Sequence, residues 1–230
     1  MSVIAFIPAR GGSKSIPEKN IKYFCGKPLI YWNLHELQKS EVDEIVVATD
    51  SDNIKLVVES FKFSKVKVYD RSSENSQDTS STESVMIEYI NSSDLSGSDT
   101  FMLVQATSPF TQTSHFNEGL ELFNNHDSIL SCCISKKFTW KEDGQALNYD
   151  IYNRPRRQDY KGDLIENGAF YISSVSDIKE TGNRISGKIG IYQMPEYTCT
   201  EIDEIEDWIV AESLMRRFIL NHKKRDFSKI

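Results

Sequence analysis

VIAFIPARGGSKSIPEKN, residues 3–20, is the stretch whose reading decides the fold. Val3, Ile4, Ala5, Phe6 and Ile7 form an unbroken apolar run closed by Pro8. Such a run suits a strand covered on both faces, as in a parallel sheet. The chemistry then reverses: Arg10, Gly11, Gly12, Ser13 and Lys14 follow, with Lys19 and Asn20 shortly after. Two glycines let the backbone turn sharply and present its N–H groups. Ser13 adds a hydroxyl, and Arg10, Lys14 and Lys19 add positive charge. A buried strand, a glycine turn and then cations can build an oxyanion cradle. The same residues also describe an ordinary strand-to-helix turn with solvated lysines. The spacing is neither the GxxxxGK[ST] of a P-loop nor the GxGxxG of a dinucleotide site.

Outward from this stretch the pattern repeats. Gly26-Lys27-Pro28 reads as a helix start, followed by Leu29, Ile30, Trp32, Leu34 and Leu37. A second buried strand at 44–48 runs into Thr49-Asp50-Ser51, which caps a helix over 53–61. Residues 66–68 make a third strand. This alternation predicts right-handed crossovers and a parallel sheet. Ligands in such sheets sit beyond the carboxyl ends of the strands, so 8–13, 49–51 and Asp70-Arg71 should share one edge.

The hydroxyl-rich segment RSSENSQDTSST, 71–82, reads either as a flexible loop or as a ligand wall. In the second case Arg71 meets a phosphate, while Ser80 and Thr82 cap the next helix and donate to ligand. Residues 100–105 form a strand closed by Gln105, whose polar side chain needs a partner. Further strands are expected at 128–134, 167–172 and 189–193. Between them, residues 136–161 are irregular and carry Trp140, Tyr149, Tyr152 and Tyr160 around the basic turn 154–157. This segment reads as a projecting arm, of the kind that marks an oligomer contact. The acidic run 201–207 enters a final helix, where carboxylates suit the helix dipole and equally suit magnesium.

Net charge is −7, which argues against general nucleic-acid binding, while the clustered cations suit a small polyanion. No apolar run approaches membrane-spanning length, and Val3 to Ile7 is too short for a signal-peptide core. A cytoplasmic protein is expected. Its four cysteines show no CxxC spacing and read as reduced thiols, with Cys132 and Cys133 as small core residues.

Taken in order, the motifs resemble the CMP-sialic acid synthetase (acylneuraminate cytidylyltransferase) family. They are IPARGGSKSIPEKN (7–20), ATDSDNI (48–54), RSSENSQDTSST (71–82), QATSP (105–109), RPRRQDY (154–160), ENGAFY (166–171) and EIDEIEDW (201–208). The resemblance implies one Rossmann-like α/β domain over 1–230, with a mostly parallel sheet, helices on both faces and a dimerisation arm. It implies a homodimer in which the arm reaches the partner's site. The implied reaction is attack by a nonulosonic acid on the α-phosphorus of CTP, yielding the CMP-sugar and pyrophosphate, with Mg²⁺ as cofactor.

Carried over by motif, Arg10, Ser13, Lys19 and Asn20 would hold the nucleotide, and Arg71, Ser80 and Thr82 would complete its contacts. Gln105, Asn167 and Tyr171 would line the sugar side. Arg156, Arg157 and Lys19 would act in catalysis, and Asp203 and Asp207 would bind the metal. Where the family commonly has an aspartate pair, this chain has Glu201-Ile202-Asp203, one methylene longer at its first position. Kdo, KDN, legionaminic and pseudaminic acids are alternative substrates. A Rossmann oxidoreductase and a non-catalytic nucleic-acid or interaction module using 154–157 are readings of other classes.

Overall fold

A computed structural model describes residues 1–77 and 79–221. The apolar run becomes β1 (Val3–Pro8), an interior strand of a seven-stranded sheet. A small hairpin, β2 (Tyr23–Phe24) and β3 (Lys27–Pro28), leads into α1 (Leu29–Leu37). The alternation continues through β4 (Glu44–Thr49), α2 (Asp52–Ser60), β5 (Val66–Asp70), α3 (Thr82–Ser92) and β6 (Thr100–Val104). Then come α4 (Thr113–Phe123), β7 (Ser128–Ser135), β8 (Asp163–Ser174), α5 (Val175–Thr181), β9 (Ile189–Met194) and α6 (Ile205–Met215).

The strand order is β5-β4-β1-β6-β8-β7-β9. β5, β4, β1 and β6 run parallel, as the crossovers require. β8 is antiparallel to both its neighbours, while β7 and β9 are parallel. Ala5, Ile7, Ile45 and Val47 face α1, α2 and α4, whereas Ile4, Phe6, Val46 and Leu103 face α3 and α5. Alternate residues of one strand thus feed two cores, which is why the run is apolar throughout. A third cluster seats α6 on the small hairpin through Phe24, Phe110, Ile202 and Trp208.

Residues 136–161 leave the sheet between β7 and β8. Tyr149 and Tyr160 each pack on Phe138, and the Arg154 guanidinium lies 4.5 Å over the Phe138 ring. Trp140, Leu147, Ile151 and Tyr152 stay exposed.

The expectation of four reduced thiols is corrected. Cys133 and Cys199 form a disulfide with Cα atoms 5.8 Å apart, joining β7 to the short helical turn Glu196–Cys199. The two are 66 positions apart, so their meeting depends on the sheet and not on any local spacing. Cys132 is free and buried. No described helix is long and apolar enough to cross a membrane.

Candidate active site

The carboxyl ends of β1, β4, β5 and β6 open onto one edge, and a cleft of about 310 Å³ lies there. Its floor is Pro8, Arg10 and Ser13 from the glycine loop, with Lys19 and Asn20 behind. One wall is Arg71 with Ser80, Ser81, Thr82 and Val85, and the other is Gln105, Ala106 and Thr107.

The glycine loop is held from below. Gly11 N–H donates to Asp50 Oδ1 at 2.9 Å, and Asn20 Nδ2 donates to the Arg10 carbonyl at 3.1 Å. A Cβ on Gly11 would stand 2.8 Å from Ser51 Cβ, so only glycine lets the loop approach the end of β4.

Arg71 is half-buried, and burial lowers its pKa; nearby Asp50 and Glu88 work against that lowering, and nearby Arg10 adds to it. Its Nε is buried without a hydrogen-bond partner, and another guanidinium nitrogen donates to the Asn75 carbonyl. Arg71 thus brings a guanidinium with one unsatisfied nitrogen to the cleft that Arg10 also lines. Glu88 organises the turn around Arg71 by accepting from Ser72 Oγ at 2.6 Å and from Tyr69 Oη at 3.0 Å. Burial pushes the Glu88 carboxyl upward, but hydrogen bonds from Ser72, Asn75 and Tyr69 outweigh it and hold the pKa at about 2.

The acidic run lies beside the cleft. Lys19 Nζ donates to the Ile202 carbonyl at 2.8 Å and sits 3.2 Å from Asp203 Oδ1. Ile202 N–H in turn donates to the Thr107 carbonyl at 3.2 Å. Gly168, at φ +62°, comes so close to Gln105 and Glu201 that a Cβ would stand 2.4 Å from one and 3.0 Å from the other. Burial raises the Glu201 pKa, and Asp203 and Glu166 raise it further.

Eight of the residues singled out from sequence therefore meet in one place: Arg10, Ser13, Lys19, Asn20, Arg71, Ser80, Thr82 and Gln105. Six others do not line the cleft. Asn167 is fully buried and its amide donates to Thr198 Oγ1 at 2.9 Å, a framework role. Tyr171 is buried too, with its hydroxyl donating to Glu166 Oε2 at 2.7 Å. Asp207 Oδ2 accepts from the N–H groups of Asp203 and Glu204, at 3.1 and 2.8 Å, so it closes the first turn of α6 where a metal ligand was expected. Asp203 stands at the rim, beside Lys19.

Arg156 is 75% exposed and pairs with Asp159 at 2.6 Å, while Arg157 lies 3.7 Å from Glu196. Arg154, exposed like Arg156 and Arg157, lies over the Phe138 and Tyr149 rings. The α3 cap is Ser81, whose Oγ accepts from Ser84 N–H at 3.0 Å, rather than Ser80 or Thr82. Its position just before the first helical residue was the available signal. Among the described residues, no three His, Cys, Asp or Glu side chains cluster so as to hold a metal.

A family model described as Cytidylyltransferase matches residues 4–217. N-acylneuraminate cytidylyltransferase B of Danio rerio is 39% identical over 223 residues, covering 93% of this chain and 51% of that protein. The chain thus spans about half the length of that relative. Pseudaminic acid cytidylyltransferase of Campylobacter jejuni is 28% identical over 235 residues, covering 97% of this chain and 99% of that protein. The fold matches that of CMP:2-keto-3-deoxy-manno-octonic acid synthetase complexed with CTP, at TM-score 0.68 and 18% identity, covering 94% of this chain and 99% of that one.

Proposed function

This chain belongs to the cytidylyltransferase family, and from that premise we propose that it joins CMP from CTP to a sialic-type nonulosonic acid. The observation that carries the reading is the cleft, where Arg10, Lys19 and Arg71 converge with Ser13, Ser80 and Thr82. Both substrates are anions, so bringing them together costs Coulomb energy that these cations offset. The anomeric hydroxyl attacks the α-phosphorus and loses its proton. The bond to the bridging oxygen breaks in line, and pyrophosphate leaves. Positioning and charge stabilisation supply most of the acceleration in such a displacement.

Mg²⁺ fits this reading. Asp203 and Glu201 would hold it, since a carboxyl whose pKa is raised by burial and then by neighbouring carboxylates is relieved by a cation. When bound, it would neutralise phosphate charge and polarise the leaving group. Lys19 Nζ donates to the Ile202 carbonyl, the backbone between the two carboxylates.

Arg156 enters the reading from a second subunit of a homodimer. It is exposed on an arm whose Trp140, Leu147, Ile151 and Tyr152 are exposed too. Its guanidinium would act as a fixed cation in the partner's cleft, with Arg157 beside it. A cytoplasmic setting is part of the reading; cell fractionation tests it, and the Cys133–Cys199 disulfide weighs against it.

Pyrophosphate release from CTP with N-acetylneuraminic, KDN, Kdo, legionaminic and pseudaminic acids tests the activity and ranks the acids. The near-full-length match to a pseudaminic acid enzyme favours including that acid as a second candidate. Release with none of them would remove the proposal.

A further inference from the structure

Glu83 sits in the first turn of α3, directly after Ser80, Ser81 and Thr82, which wall the cleft. A carboxylate there suits the helix dipole and ordinarily faces water. Here it turns inward to Arg184, 101 positions away, whose Nε donates to Glu83 Oε1 at 2.5 Å. Their side chains are only 23% and 20% exposed. The Arg184 guanidinium also lies 5.0 Å over the ring of Tyr171, whose hydroxyl donates to Glu166. The Arg184 carbonyl accepts from Ser173 Oγ at 2.8 Å, mooring its backbone to β8 as well. Glu83, Arg184, Tyr171 and Glu166 therefore form a continuous line from the α3 terminus to β8, along the face of the sheet that α3 and α5 cover.

We propose that Arg184, which does not line the cleft, is a positioning residue for the nucleotide: by pairing with Glu83 it fixes the Ser80–Thr82 wall relative to β8. The wall residues immediately precede Glu83, so a shift of that helix end moves them against the Arg10 loop. Removing either partner would also leave a largely covered charge without its mate, which forces the turn to rearrange. Lysine at 184 could reach Glu83 but could not reproduce the flat face over Tyr171.

The inference rests on the cleft being a CTP site, and the two can fail separately. Calorimetric titration of the whole protein with CTP, without acid substrate, is the readout. No CTP binding by the unaltered protein would overturn the reading of the cleft and, with it, this inference. Given binding, Arg184→Met should weaken CTP affinity about tenfold, the size of one lost charged hydrogen bond. Glu83→Gln should match it, and Arg184→Lys should recover part of the loss. The double variant should cost little more than the worse single one, because both remove the same contact. In turnover, the KM for CTP should rise while that for the acid changes less than about twofold. Unaltered CTP affinity in a folded Arg184→Met protein, or additive losses in the double variant, would overturn the proposal. If Arg184→Met lowers the melting temperature too far to titrate, Glu83→Gln decides on the same criteria.

Discussion

Lys19 and Asp203 are 184 positions apart in the chain and meet at 3.2 Å. The lysine is 13% exposed and the aspartate 68%, so a cleft residue reaches out to hold the rim. The pair joins the glycine loop to the acidic run. It also means that Lys19 competes with any metal for Asp203. Lys19→Met should therefore lower turnover while reducing the Mg²⁺ concentration needed for half-maximal rate. Unchanged Mg²⁺ dependence would show that Asp203 does not contact the metal, and full rate in excess EDTA would remove the metal altogether.

Arg71 has a buried Nε with no partner in the protein. Arg71→Ala should raise the KM for CTP by the worth of a charged hydrogen bond, roughly 1.5–3 kcal/mol or ten- to a hundredfold. The KM for the acid should move far less. An effect confined to the acid would put Arg71 on the other side of the reaction.

The two glycines of the loop should behave differently. A Cβ on Gly11 meets Ser51 at 2.8 Å, whereas one on Gly12 meets nothing within 4 Å. Gly11→Ala should destabilise the protein by about 1–3 kcal/mol, as overpacking does, and weaken CTP binding. Gly12→Ala should leave both near their starting values. Thermal melts with and without CTP check this, and equal effects at the two positions would contradict the close approach to β4.

Glu88 ties pH to the Arg71 turn. Its folded pKa of about 2 lies below its ordinary value of 4.5. A depressed carboxyl stabilises the fold fully above the unfolded value, and that share is lost as pH falls from about 4.5 toward 2. Glu88→Gln should therefore be less stable than the unaltered protein near neutrality, with the gap narrowing across this window. A gap constant with pH, by denaturant titration, would show that the hydrogen bonds from Ser72, Asn75 and Tyr69 do not depend on the charge.

Arg156→Ala and Arg10→Ala proteins should each be inactive alone and partly active when mixed. In a shared site, some heterodimers pair an intact Arg10 loop with an intact arm. Mass-tagged mixing must show that subunits exchange. Exchange without recovered activity would mean that each cleft is completed within one chain.

By itself, the sequence determined the β-α-β-α-β half, the edge where the cleft opens and most of the residues lining it. Those are local properties: an apolar run marks a two-sided strand, glycines mark a turn, and topology then places every strand end on one side. Eight site residues converge because they sit in such turns. The tertiary structure alone decided how β8 enters the sheet antiparallel, and with it the fate of ENGAFY: Asn167 and Tyr171 became framework. It also decided that Asp207 caps α6, that Cys133 finds Cys199, and that Arg184 reaches Glu83. The physical reason is common to all of these. Periodicity and turn chemistry record which face of an element is covered, but not which distant residue covers it, and polar pairs depend on register and on the meeting of elements far apart in the chain.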